Sequence, residues 1–147
     1  MADVRALYQD SILEHSKRPR NFGKLAGAHR RVERENPLCG DQIALYVKIV
    51  DGLIADIAFE GEGCAIAIAS ASMMAESVKH KTVAAAEGLS EQFAELLQGG
   101  HPQEGAAPPE LGPLGAFAPV REFPGRIECA RLAWHALGAA LGATDRD

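Results

Sequence analysis

No run of apolar residues in this 147-residue chain approaches the roughly 18–20 needed to span a bilayer as a helix. Positive charge is in the minority. The chain has 15 Lys and Arg against 20 Asp and Glu, a net charge of −5. That balance argues against general nucleic-acid binding, which usually shows a basic face. The opening residues, Met1-Ala2-Asp3-Val4-Arg5, have neither the basic start nor the apolar stretch of a secretory signal. A cytosolic protein is expected, with no membrane and no nucleic-acid partner, in a compartment where thiols stay reduced. Cysteine is scarce and odd in number, three in all, so an internal disulfide framework is a poor account of it. Short-spaced cysteine pairs of the zinc-ribbon kind are also missing, because the intervals are 25 and 65 residues. Any site that the three share must be assembled by the fold.

The apolar fraction, 47%, is that of an ordinary globular protein, and the length suits one domain over residues 1–147. Val4 to Ser16 reads as a helix with Leu7, Tyr8 and Ile12 on one side, ended by Pro19 and the turn Arg20-Asn21-Phe22-Gly23. Ile43, Leu45, Val47 and Ile49 alternate with Ala44, Tyr46 and Lys48. Asp51-Gly52 follows, and then the run Leu53 to Phe59, a hairpin signature. A third strand is expected around Arg30 to Glu35, although its composition is poor for one. A small-residue helix is expected from Ala65 to about His80. Thr82 is expected to cap a further helix and Ser90 another, in which Phe93, Leu96 and Leu97 point inward and which Gly99-Gly100 stops.

Residues 99 to 119 carry five glycines and five prolines with almost no periodicity, which reads as a loop or insertion. The final helix is expected over Ile127 to Leu141. Ala130, Ala133, Trp134, Leu137 and Leu141 share one face, and Pro124-Gly125 breaks the chain just before it. The fold class is α+β, a small antiparallel sheet of about three strands packed with helices. The five histidines have no ligand-like spacing near the cysteines and read as surface or packing residues, while Met73 and Met74 read as helix packing. Between Lys17 and Arg34 seven basic residues face one acid, Glu33: a solvated charged loop, or a docking face for an acidic partner.

The candidate chemistry lies at Cys39, Cys64 and Cys129, with Asp41 two residues beyond the first cysteine. Cys39 sits in a glycine-flanked turn after Asn36-Pro37. Cys64 and Cys129 fall where helices are expected to begin, and unpaired N–H groups there favour a thiolate. Cys39 and Asp41 can point the same way if their loop is extended. Three soft sulfurs with one hard carboxylate can complete a zinc site or hold iron with sulfide. Buried, inert cysteines are the alternative. The residues alone leave that choice open and give no basis for choosing a metal.

Three stretches resemble the cysteine motifs of the U-type iron–sulfur cluster assembly family, the fold shared by IscU-type proteins and the N-terminal part of NifU. They are Asn36-Pro37-Leu38-Cys39-Gly40-Asp41, Gly61-Glu62-Gly63-Cys64-Ala65-Ile66 and Arg126-Ile127-Glu128-Cys129-Ala130. The likeness starts at Tyr8 to Gly23 and runs through Trp134. Within the family, the scaffold branch carries a histidine before the third cysteine, where this chain has Glu128. Its chaperone-recognised Leu-Pro-Pro-Val-Lys segment is poorly matched by Ala118-Pro119-Val120-Arg121. The insertion before the third cysteine, with Phe123-Pro124 and Arg126, is similar to the SufU-type branch.

That resemblance implies zinc held by Cys39, Asp41, Cys64 and Cys129. It implies a sulfur acceptor that works with a SufS-type cysteine desulfurase rather than alone, and that supplies downstream cluster-assembly proteins. It further implies that a histidine of the desulfurase replaces Cys39 on the metal, freeing Cys39 as the sulfur acceptor. Arg126 is named as support for the anionic site or a partner contact, with an ordinary surface arginine as the alternative. The rival functions are a scaffold assembling a [2Fe–2S] cluster on the same ligands, with iron in place of zinc, and a zinc-stabilised interaction domain.

Overall fold

The computed structural model describes residues 9–37, 39–98 and 109–142. Strands β1 (Arg30–Asn36), β2 (Asp41–Val50) and β3 (Leu53–Glu62) form one antiparallel sheet in the order β1-β2-β3. Within the described residues four α-helices accompany it: α1 (Asp10–Lys17), α2 (Ala65–Val78), α3 (Val83–Gln98) and α4 (Pro124–Gly142). Among the described residues no helix is long and apolar enough to cross a membrane.

The β2–β3 hairpin forms because its turn chemistry and its strand patterns agree. Asp51 and Gly52 both have positive φ, 53° and 77°, as a tight type I′ connection requires. Leu45 pairs with Phe59 and Val47 with Ile57, and all four are buried on the inner face. Strand β1 has the sequence Arg-Arg-Val-Glu-Arg-Glu-Asn and only Val32 half-buried between its ends. As an edge strand it draws its order from pairing with β2, while its charges discourage a further strand from adding. Much of the basic stretch is neutralised locally: Arg18 and Arg20 reach Glu14, and Arg31 pairs with Glu33.

Helix α2 is buried on nearly every side, and its alanines and serines allow close packing. Its buried hydroxyls are bonded. Ser70 Oγ donates to the Ala130 carbonyl (2.5 Å) and accepts from Trp134 Nε1 (3.2 Å). Ser72 Oγ accepts the Arg20 N–H at 2.8 Å and bonds His15 Nδ1 at 2.7 Å, fastening α1 and the following turn onto α2. Trp134 stacks on Phe93 with centroids 4.9 Å apart, and Phe93 meets Phe117 edge-on at 5.5 Å. Trp134, Met73 and Met74 are core residues.

Several boundaries differ from the sequence expectation. The first helix is described over Asp10–Lys17, and the expected residues Val4 to Tyr8 lie outside the described part. Thr82 does cap α3, its Oγ1 accepting the Ala85 N–H at 3.0 Å. Ser90 starts no separate helix. Ala86, Leu89, Phe93, Leu96 and Leu97 make one continuous buried stripe, so α3 runs through Ser90 unbroken. Residues 99–108 of the expected insertion, Gly99-Gly100 among them, lie outside the described part.

The rest of that stretch is not a loop. Pro109–Glu122 winds into 3₁₀ turns, kinked at Gly112 (φ 54°), with Leu111, Leu114, Phe117 and Val120 fully buried. Their spacing of three follows from 3₁₀ geometry, in which residues i and i+3 eclipse one another. Finally, α4 begins at Pro124 rather than Ile127. Proline suits the first helical position, where its missing N–H costs nothing, so Pro124-Gly125 starts the helix instead of breaking the chain before it.

Candidate metal centre

The site forms where the β1–β2 connection meets the start of α2 and the second turn of α4. The connection is a tight turn, as the glycine-flanked sequence around Cys39 predicts. The Asn36 carbonyl accepts N–H groups from both Cys39 (3.1 Å) and Gly40 (2.8 Å). Gly40 has φ 75°, a left-handed conformation that glycine adopts without strain, and Asp41 returns the chain to pairing opposite Asn36. Cys39 is left exposed at the tip of the turn, while Asp41 is fully buried.

Cys39, Asp41 and Cys129 each offer a ligand atom within 4.8 Å of the others. The sulfurs of Cys129 and Cys39 stand 3.3 Å apart, far longer than a disulfide bond of about 2.05 Å. Two thiolates on one tetrahedral zinc would be separated by about 3.8 Å. Cys64 reaches the group through Asp41. Its backbone N–H donates to Asp41 Oδ1 at 2.8 Å, and its Sγ lies 3.9 Å from Asp41 Oδ2. Cys64 is the residue preceding α2, in the extended conformation of an N-cap.

Cys129 sits in the second turn of α4 and is buried, which corrects the expectation that a helix start stabilises its thiolate. Burial first, and then Asp41 and the neighbouring cysteines, push its thiol far above the usual cysteine value. A buried carboxylate among three thiols is a costly arrangement that a divalent cation relieves, by binding the carboxylate and displacing the thiol protons. The donor set fits zinc, which takes four sulfur or oxygen ligands, and it fits a thiolate-held iron cluster. Glu128, in the position just before Cys129, is exposed and pairs with His135 (3.5 Å) and Arg131 (4.0 Å) on its own helix. Arg126 is half-buried in the first turn of α4, its backbone N–H bonded to the Phe123 carbonyl at 2.7 Å.

Two neighbours of the site were not singled out from sequence. Gly63 leaves room for Asp41: a Cβ at this position would fall 2.4 Å from Asp41 Oδ1. Its place directly before Cys64 is the only signal that could have marked it. Asn36 belongs to a turn signal and opens the first cysteine motif, yet neither predicts that its Nδ2 donates to Cys129 Sγ at 3.7 Å. A bond spanning 93 residues leaves no local trace in a sequence.

Comparison with known proteins agrees with this geometry. The model of the NifU-like N-terminal domain matches residues 7–143. The chain is 43% identical to the iron–sulfur cluster assembly scaffold protein IscU of Streptococcus pyogenes, covering 96% of this chain and 86% of that protein. It is 40% identical to the zinc-dependent sulfurtransferase SufU of Bacillus subtilis, covering 92% and 90%. Among solved structures, the candidate SUF-system cluster assembly scaffold of Fervidobacterium islandicum superposes with a TM-score of 0.85. It is 33% identical and covers 95% of this chain and 99% of that one. With one α+β architecture, three cysteine motifs in order and a match along almost the whole length, the chain belongs to the NifU-like N-terminal domain family of U-type iron–sulfur cluster assembly proteins.

Proposed function

We propose that this protein is a zinc-dependent sulfur-transfer protein that accepts persulfide sulfur from a SufS-type cysteine desulfurase for iron–sulfur cluster biogenesis. The observation that carries the reading is the unequal placement of the thiols. Cys39 is exposed on a turn, whereas Cys129 is buried in α4 and Cys64 is held at the start of α2 beside the buried Asp41. Cys39, Asp41, Cys64 and Cys129 would hold the zinc, which when bound neutralises the anionic cluster and keeps its thiols deprotonated.

The transfer itself is a displacement at sulfur. The Cys39 thiolate attacks the outer sulfur of the enzyme's persulfide, and a new S–S bond forms on Cys39. The old S–S bond breaks, with its electron pair leaving on the enzyme's cysteine. No external oxidant or reductant is needed. Arg126, on the first turn of α4, supports the anionic site or meets the partner in this reading.

The second reading is a scaffold that carries a [2Fe–2S] cluster on the same residues. The streptococcal relative named as a scaffold favours it. Glu128 in place of a histidine before Cys129, turned along its own helix, favours the first. Metal analysis separates the two. About one zinc per chain with negligible acid-labile sulfide is expected in the protein as purified, and iron with labile sulfide and little zinc supports the scaffold.

The role of Cys39 has its own test. Cys39→Ser should lose stimulation of the desulfurase, measured as alanine production, while the protein keeps its fold. A Cys39→Ser protein that still accelerates turnover and carries a persulfide would show that another residue is the acceptor.

A further inference from the structure

We infer that Asn36 is a positioning residue of the site, and that it decides which thiol is anchored and which is free to carry sulfur. The inference rests on the four-ligand reading above and adds a residue to it. Asn36 is buried at the end of β1 and acts on both sides of the site. Its main-chain carbonyl accepts the N–H groups of Cys39 and Gly40 (3.1 and 2.8 Å), which sets the turn that presents Cys39. Its side-chain Nδ2 donates to Cys129 Sγ at 3.7 Å, within the range of N–H···S bonds. One residue therefore joins the hairpin tip to α4 and keeps Cys39 and Cys129 sulfurs at their 3.3 Å separation.

The two thiols also differ in one polar contact, the Asn36 amide on Cys129 Sγ. A donor N–H withdraws charge from Cys129 Sγ and lowers its nucleophilicity. Both sulfurs lie near the Gly125 carbonyl, Cys39 Sγ at 4.0 Å and Cys129 Sγ at 3.9 Å, so the amide of Asn36 is the contact that separates them. Hydrogen bonds to ligating sulfur are a recognised means of tuning a metal site, and outer partners of this kind orient the ligands themselves. Asn36 thus makes Cys129 the fixed, less reactive sulfur and leaves Cys39 the reactive one.

The test uses the full chain loaded with Co²⁺ in place of zinc, whose sulfur-to-metal charge-transfer absorption reports on the ligating sulfurs. In Asn36→Ala and in Asn36→Asp, which keeps the shape but not the donor, the band should move to lower energy. Zinc affinity, measured by competition with a metallochromic indicator, should fall about 10–100-fold. In the metal-free protein, closing a disulfide depends on the 3.3 Å spacing of the two sulfurs more than on their nucleophilicity. Diamide should therefore join Cys39 to Cys129 more slowly in Asn36→Ala than in the wild type, read by mass spectrometry of peptides.

An unmoved band in a folded, cobalt-bound variant overturns the donor role, even if affinity drops, because turn scaffolding alone would weaken binding without changing the sulfur's electronics. Should either variant bind no cobalt, the diamide rate decides: coupling at the wild-type rate overturns the inference. A wild-type protein that shows no thiolate charge-transfer band with cobalt would instead count against the four-ligand reading, a separate failure.

Discussion

Asp41 is the residue on which the site's geometry turns. It is fully buried at the first position of β2, one oxygen fixed by the Cys64 N–H and the other facing the Cys64 sulfur. A carboxylate locked in this way presents its free electron pairs to the space between the thiols. Replacing it, Asp41→Ala, removes a charged ligand and opens a position for water, so zinc release to a colorimetric chelator should be faster. Equal release rates in the two proteins would count against Asp41 as a ligand.

Gly63→Ala should resemble Asp41→Ala without touching a ligand. Its new methyl would overlap the carboxylate, at 2.4 Å from Oδ1, and push Asp41 off its N–H partner. Binding about 10–100-fold weaker is expected, the usual cost of a lost outer support. Unchanged zinc affinity in Gly63→Ala would show that the carboxylate has room to shift. The motifs made the four candidate residues legible as types, because sulfur and carboxylate chemistry is local to each residue. Their supports were not, since the clearance at Gly63 and the Asn36 bond exist only once distant segments meet.

Elements were legible wherever one period dominated. The alternation from Ile43 to Ile49, the Asp51-Gly52 turn and the inward Phe93, Leu96 and Leu97 all survive in the fold because local preference and burial agree there. The stretch 109–119 reads as a loop in sequence for a physical reason. Its apolar residues recur every three positions, between the strand and α-helix periods, amid prolines and glycine that signal irregular structure. Phe117 tests its weight. It is fully buried and edge-on to Phe93, so Phe117→Ala should cost about 3–5 kcal/mol in urea denaturation. A passive surface insertion would lose less than about 0.5 kcal/mol.

Helix α1 carries a different liability. His15 is buried against Ser72, and burial first, then Arg20, hold its imidazole below its ordinary value, against the opposing pull of Glu76 and Glu14. Between that lowered value and 6.5 the unfolded chain binds more protons than the folded one. The contribution to stability is therefore fully present above the unfolded value and is lost as the pH falls through the folded one. Melting temperature followed from about pH 8 to about pH 5 should drop less in His15→Gln than in the wild type. Parallel curves would assign the acid sensitivity to other groups.

At the scale of the whole molecule, the site is a cross-link between segments that the chain keeps far apart. The chain at Cys39, the start of α2 and the second turn of α4 are brought together by the sheet and by helix packing, so that Cys39, Asp41 and Cys129 face one another with Cys64 against Asp41. In the unfolded chain the same residues are separated by intervals of 25 and 65, so they bind a metal far more weakly as a set. A ligand bound by the folded state alone raises stability by RT ln(1 + [L]/Kd), about 1.4 kcal/mol for every tenfold increase in free metal beyond saturation. For a chain of this length that is roughly 3–6 °C in melting temperature per tenfold step. Removing zinc with a chelator should therefore lower the melting temperature, and titrating it back should raise the value without a plateau at one equivalent. Cys129→Ser, which takes away the ligand anchored in α4, should abolish most of that dependence. A melting temperature that ignores both chelation and added zinc would mean that the hydrophobic core alone holds these segments together and that the thiols share no metal.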